Sequence, residues 1–392
     1  MSDNVKEHPS VVLISNYLNH HTLPLCMELN ARTNGNFRFV ATTDLRPERA
    51  NLGYKRLNEE YDFVVRAYEG AEEKKRAAKL CYDCDVLIYG HAPQSFYAKR
   101  LLHHKVTFRY NERVFKTHMT AKLFCKQVIK FIYKDAFTQY RKHYLLAASA
   151  YAADDFNRFG AFKNRVLKFG YFPPILSEEH RVTREGNEKT NILWVGRFIP
   201  YKKPQLAIEI VRELKKRNLP FQMTMVGTGA LEDEIRKLVT EYDLEDVVSM
   251  EGSKPNDEVR KVMQTSDILL FTSNEEEGWG AVLNEAMDSG CVAIAYKGIG
   301  SVPFLIDNGN NGYAYEDHSP TEIADICEKV INDYSLRERI GDNARKTITD
   351  MWNAKVAADR LLDFAASVQN NRVKPYESGP LSQAARLRCN AK

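Results

Sequence analysis

The sequence has no apolar run approaching the roughly 18 residues that a membrane-spanning helix needs. Its start, MSDNVKEHPS, is polar where a secretory signal would be apolar. Both absences point to the cytoplasm. Cysteine offers no framework: Cys26, Cys81, Cys84, Cys125, Cys291, Cys327 and Cys389 are odd in number and scattered. Cys81 and Cys84 form a lone CxxC, without a second pair or a histidine at ligand spacing, so no metal is expected. A strong charge of one sign is also missing, since 56 Lys and Arg against 52 Asp and Glu leave a net +4. No repeat at a solenoid period occurs. No GxGxxG follows the first strand-like run, where SNYLNHH stands instead, and VGTGALED supplies only the first two glycines of that pattern, which counts against a nicotinamide dehydrogenase.

What remains is ordinary for a globular protein: 392 residues, 44% hydrophobic and 28% charged, enough for two domains of roughly 150 to 200 residues each. The apolar runs VVLIS, FRFVAT, DVLIYG, KVTFRY and HYLLAAS alternate with helix-like segments, as in a parallel α/β sheet. GYFPPILSEEHRVTREGNEKTN reads as a linker. NILWVGRF, FQMTMVGTG, VVSMEGS, DILLFTS and CVAIAYKG then repeat the alternation. The fold class expected is α/β, with two Rossmann-like domains facing each other across a cleft. Residues 1–173 form the first, 174–190 the linker and 191–350 the second. Residues 351–370 form a C-terminal helix packing back on the first domain, and 371–392 a loosely ordered tail.

The stretch EEEGWGAVLNEAMDSGC places Glu277 ahead of a helix running from about Gly280 to Gly290, and Glu285 inside it. At 1.5 Å rise per residue the two carboxylates stand on the order of 9 Å apart or more, too far for a retaining glycosidase pair. Such spacing suits a long ligand with an anionic middle. The backbone N–H groups of Gly280, Ala281 and Val282 would face a phosphate, with Gly278 and Gly280 allowing close approach. A nucleotide sugar has that shape. The plain alternative is that acidic residues ahead of a helix merely complement its dipole. In VGRFIPYKKPQLAIEI, Arg197 follows a strand and Lys202 precedes the next helix. Both would project from the carboxyl edge of the sheet, where they could neutralise a diphosphate leaving group.

These segments together with MVGTGALEDEI, MEGSKPNDEV and NGNNGY resemble the group 1 (family 4) retaining glycosyltransferases of the GT-B fold, of the bacterial polysaccharide-biosynthesis type. The resemblance covers most of the second domain and is weaker in the first. It implies that Arg197 and Lys202 hold the donor diphosphate, that Glu277 faces the donor sugar and that Glu285 meets the ribose. It places Gly227 and Gly229, and the segment Gly252 to Lys254, where the family holds the base. His91, after DVLIYG, resembles a histidine near the anomeric carbon. The first loop, SNYLNHHTLPL, lacks the family's paired glycines and offers Asn16, Asn19, His20 and His21 on the acceptor or sugar side. Pro303 is followed by Phe304 where the family often has Pro-Glu.

Within TAKLFCKQVIKFIYKDAF, Lys122, Lys126, Lys130 and Lys134 recur every fourth residue, drawing a basic stripe down a helix. Leu123, Tyr133 and Phe137 lie among them, a pattern suited to an anionic bilayer or to a solvated helix face. No nucleic-acid motif accompanies it.

The expectation is a retaining, hexosyltransferase-like enzyme. Its donor is a nucleoside-diphosphate sugar and its acceptor a lipid-linked glycan or other cell-surface polysaccharide precursor. It works at the inner face of the cell membrane, with no cofactor and no metal. The alternatives are a nucleotide-sugar epimerase on the same fold and a non-catalytic subunit that binds nucleotide sugar or membrane.

Overall fold

The computed structural model describes residues 8–45, 55–115, 125–126, 128–129, 142–177 and 188–388. The chain divides into two compact units, Met1–Pro174 with Trp352–Asn390, and Ile175–Met351.

The first unit holds β1 (Val11–Ser15), α1 (Leu23–Arg32), β2 (Phe37–Ala41), β3 (Val64–Arg66), α2 (Ala71–Asp83), β4 (Val86–Tyr89), α3 (Ala98–Leu102), β5 (Thr107–Asn111), β6 (His143–Ala147), α4 (Ala152–Asn157) and β7 (Val166–Lys168). Its strands lie in the order β3-β2-β1-β4-β5-β6-β7, with every neighbouring pair parallel. β4 and β6 are buried at every residue, because parallel strands covered by helices on both faces need apolar side chains throughout.

The second unit holds β8 (Thr190–Val195), α5 (Pro204–Lys216), β9 (Phe221–Val226), α6 (Glu232–Glu241), β10 (Val248–Met250), α7 (Asn256–Gln264), β11 (Ile268–Phe271), α8 (Val282–Asp288), β12 (Val292–Tyr296), α9 (Val302–Leu305), β13 (Tyr313–Tyr315), α10 (Pro320–Asn332) and α11 (Tyr334–Lys346). Its parallel sheet runs β10-β9-β8-β11-β12-β13. β3, β7, β10 and β13 are the edge strands, of three residues each.

After the second unit the chain enters α12 (Ala354–Gln369), capped where the Asn353 carboxamide oxygen accepts from the Val356 N–H at 2.9 Å. This helix lies on α1, where Asp359 pairs with Arg32. Its Phe364 packs edge-on to Tyr144. The expectation of a loosely ordered tail is corrected for its described residues, 371–388. Lys168 N–H donates to the Ser382 carbonyl, Leu381 N–H to the Lys168 carbonyl and Ala384 N–H to the Val166 carbonyl, at 2.8 to 2.9 Å. The tail thus pairs antiparallel with β7 around Leu167 and Gln383, because an edge strand left open has unsatisfied backbone groups. Leu381 is fully buried there.

The CxxC is core. Cys81 and Cys84 are both buried, the Cys84 thiol donates to the Cys81 carbonyl, and burial lifts both thiols above their usual range, Cys84 to about 11. The linker residues 178–187, Cys389 and the basic positions Lys122, Lys130 and Lys134 lie outside the described residues, whereas Lys126 is helical and exposed.

Candidate functional site

Strand order fixes where chemistry can sit. In the second unit the order turns back at β8, with β9 on one side and β11 on the other, and ligands of open α/β sheets bind beyond the carboxyl ends at such a switch point. The loops there are 196–203 after β8 and 272–281 after β11. They carry Arg197, Lys202, Glu277, Gly280 and Ala281.

Lys202 closes a short 3₁₀ turn, Pro200–Lys202. Thr272 ties this turn to β11. Its hydroxyl donates to the Lys202 carbonyl at 2.8 Å and accepts from the Trp194 indole N–H at 2.9 Å. The Asn274 N–H reaches the Tyr201 carbonyl at 2.8 Å. So held, the Lys202 ammonium donates to Glu277 Oε2, which also accepts the Ser273 hydroxyl at 3.0 Å. Both donors land on one oxygen, and Oε1 has no partner among the described residues. Lys203 precedes Pro204, which disfavours the right-handed helical region. It takes φ +47° instead, and its ammonium lies near Glu275 and Glu209, with burial lowering its pKa. Arg197 is exposed and donates to the Tyr201 hydroxyl at 3.1 Å. Among the described residues no carboxylate pairs with it, so its charge is available.

Glu285 sits in α8, which begins at Val282 rather than at Gly280. Gly280 is instead a left-handed turn residue (φ +82°) whose missing Cβ would stand 2.5 Å from the Phe271 ring. Ala281 is the residue before the first turn. Glu285 is buried, and that burial raises its pKa, opposed by the Arg260 charge and by a hydrogen bond from Asn256. The two glutamates therefore differ in kind: Glu277 is paired with a lysine, and Glu285 is enclosed.

Gly227 and Gly229 have a packing reason of their own. A Cβ on Gly227 (φ +139°) would lie 1.8 Å from the Gly196 carbonyl oxygen, and one on Gly229 would lie 2.5 Å from that of Phe198. The turn after β9 and the loop carrying Arg197 thus press backbone to backbone, joined by Phe198 N–H to the Thr228 carbonyl at 2.9 Å. Gly252 accepts the Gly227 N–H at 2.7 Å, and Lys254 pairs with Glu251 at 3.1 Å. Gly227 and Gly229 therefore neighbour the β8 loop, and Gly252 is tied to it through Gly227.

The first unit has its own switch point, between β1 and β4. The loop after β1 carries Asn16, Asn19, His20 and His21, and the loop after β4 carries His91, which is exposed. The Gly90 N–H donates to the Ile14 carbonyl at 2.8 Å, tying the two strand ends together. Asn19 is occupied in holding the entry to α1, its side-chain oxygen accepting from the His21 and Thr22 N–H groups at 3.0 and 3.1 Å. Asn16 accepts from the Ser15 hydroxyl at 3.1 Å. His21 stacks on Tyr171 and packs against His20, 3.8 Å between ring centroids. Burial, with help from His20, lowers its pKa to about 3, so its imidazole is neutral.

Sequence reasoning missed Ser273, Tyr201, Asn256, Arg260 and Asp288. Only Arg260 left a signal, as a cation beside Val259 and Met263 on the buried face of α7.

Residues 177–347 match the family model described as glycosyl transferases group 1. Over 195 residues the chain is 26% identical to a putative colanic acid biosynthesis glycosyltransferase of Salmonella typhimurium, covering 48% of each. It is 30% identical over 183 residues to the amylovoran biosynthesis glycosyltransferase AmsK of Erwinia amylovora, covering 45% of each. The chain thus spans about half the length of these curated relatives. Among solved structures, Anabaena HepE in complex with UDP and glucose superposes with a TM-score of 0.66 at 15% identity, covering 92% of this chain and 100% of that one. Staphylococcus aureus TarM gives 0.55 at 21% identity, covering 71% and 54%. At these identities the likeness is one of fold, the two parallel α/β sheets of GT-B proteins.

Proposed function

We propose, on the premise that residues 177–347 belong to the group 1 glycosyltransferases, that the protein transfers a sugar from a nucleoside-diphosphate sugar to an acceptor hydroxyl. The observation that carries the reading is the Lys202–Glu277 pair at the switch point of the second sheet, with the Arg197 guanidinium, which no carboxylate pairs with among the described residues, on the same loop as Lys202.

In this reading Arg197 and Lys202 face the diphosphate. Glu285 accepts from the ribose hydroxyls, and the free Oε1 of Glu277 accepts from the donor sugar. The bond from the anomeric carbon to the phosphate oxygen breaks through an oxocarbenium-like transition state, and preorganised cations stabilise the departing charge. Glu277, already bound by Lys202 and Ser273, is a poor nucleophile. The acceptor oxygen therefore attacks from the face that the diphosphate leaves. Its proton passes to the departing phosphate oxygen, and configuration is retained.

For the acceptor we propose a lipid-linked glycan or another polysaccharide precursor. The relatives named for colanic acid and amylovoran biosynthesis support that class. His91, Asn16, His20 and the neutral His21 of the first unit are proposed as its contacts on the strength of the resemblance. The anionic inner membrane surface is proposed as the working place, met by the basic stripe that includes Lys126.

A thermal-shift panel of nucleoside diphosphates and their sugars tests the donor class. A ligand that binds only the folded state stabilises it by about 2.7 kcal/mol at one hundred times its dissociation constant. Selective stabilisation by one nucleotide, lost in Arg197→Ala and Glu285→Ala, is the expected result. No response to any would favour a non-catalytic protein, and conversion of the donor to its isomer without acceptor would favour an epimerase.

A further inference from the structure

We propose that Arg260 is a positioning residue for Glu285, one arm of a two-point clamp by which α7 holds the turn of α8 that presents this carboxylate. The inference rests on the reading of Glu285 as a ribose ligand.

Arg260 is buried at 8% exposure, on the α7 face shared with Val259 and Met263. A guanidinium in such a place needs full pairing to persist. Its Nη1 donates to the Glu285 carbonyl and its Nη2 to Asp288 Oδ2. One helical turn earlier, Asn256 hydrogen-bonds the Glu285 carboxylate. Residues i and i+4 of a helix share a face, so a single edge of α7 grips Glu285 twice, by its main chain and by its side chain.

Asp288 completes the arrangement. It accepts the Leu176 N–H at 2.9 Å, and its carbonyl accepts from Arg345 of α11 at 2.7 Å. Two buried carboxylates, Glu285 and Asp288, therefore occupy neighbouring turns of α8 with Arg260 reaching both. The charged groups facing Glu285 are Arg260 from α7 and Asp288 from its own helix. Arg345 of α11 acts through Asp288. β11 (ILLF) and β12 (VAIAY) bring no charge, and Asp350, in the segment after α11, is exposed.

Without Arg260 the Glu285 carboxylate keeps the cost of burial and the nearby Asp288 charge but loses its cation. It would protonate at a higher pH and drift from its place. A protonated carboxyl accepts from ribose hydroxyls less well.

The test is calorimetric binding of the nucleoside diphosphate that gives the largest thermal shift, across roughly pH 6 to 9. Arg260→Met should weaken binding by about tenfold near neutrality, with recovery as pH rises. Arg260→Lys, which keeps the charge, should bind within about threefold of wild type. The double variant Arg260→Met with Asp288→Asn removes both buried charges and keeps the test open if the single variant does not fold. Glu285→Gln should weaken binding without pH dependence, and adding Arg260→Met to it should introduce none. Wild-type affinity and pH profile in Arg260→Met overturn the inference, as does a loss equal at every pH. If Glu285→Gln binds like wild type, the reading beneath the inference has failed. If Glu285→Gln weakens binding and Arg260→Met does not, the inference alone has failed.

Discussion

Lys202 and Glu277, 75 positions apart in the chain, meet in an ion pair whose carboxylate also takes the Ser273 hydroxyl. Each side chain is only about one-eighth exposed, at 13% and 12%. The ammonium is thus held in place by the protein itself, and in the proposed reaction it need not reorganise to meet negative charge on a leaving group. Lys202→Ala should therefore lower turnover by about 10 to 1,000 fold, measured as donor consumption at saturating donor and acceptor. Turnover equal to wild type would remove Lys202 from the site.

Gly227 offers a test of backbone packing. With a Cβ destined for 1.8 Å from the Gly196 carbonyl oxygen at φ +139°, Gly227→Ala cannot be accommodated without moving the loop that carries Arg197. A loss of about 3 kcal/mol or more in urea unfolding is expected. Gly252→Ala is the control. That residue has φ +70° but open space around it, and the change should cost only about 1 kcal/mol. Equal losses in the two variants would show that the steric argument is misplaced.

What could be read from the sequence follows the range of each signal. β1, β4, β6, β8, β11 and β12 announce themselves as mostly continuous apolar runs, because burial on two faces writes itself into consecutive residues, and β9 (FQMTMV) by the alternation of buried Phe221, Met223 and Met225 with Gln222 and Thr224. β3, β7 and β13 do not, since three residues at a sheet edge carry few positions, and β10, as short and also at an edge, is legible because Val247 extends its apolar run. The Glu277 and Glu285 motif is local and legible. The cation that neutralises Glu277 lies in another loop, and only strand order brings Lys202 to it. Asn19 shows the opposite failure. It looks like a ligand in a polar loop, yet its oxygen is spent on the backbone N–H groups of His21 and Thr22.

Two histidines of the first unit make its stability depend on pH. Burial lowers the His21 pKa to about 3, with His20 adding to the effect. Burial likewise lowers that of His143 to about 3, helped by Arg109 and Arg165. Both folded values lie below the unfolded value near 6.5, so the unfolded chain binds the extra protons. Their contribution is fully present above about pH 6.5 and is lost as pH falls toward about 3, by up to about 1.4 kcal/mol per pH unit for each histidine. Denaturation midpoints should fall over this window, and His21→Phe should flatten the slope. An unchanged slope would mean that His21 titrates normally.

Removal of residues 381–392 should expose the β7 edge that Leu381 to Ala384 now cover. Open strand edges recruit other chains, so the shortened protein should self-associate with rising concentration in light scattering while the full chain does not. Identical scattering from both would show that the cover is dispensable.

The first unit takes its sheet from residues before Pro174 and its closing pieces from residues after Trp352. As the chain leaves the ribosome, the whole of the second unit is made while the first still waits for α12 and for the segment that seals β7. The part synthesised first is thus the part completed last. Through that interval the nascent chain carries a sheet with all its strands made but with the α1 face bare and one edge open, which is the kind of intermediate that chaperones attend.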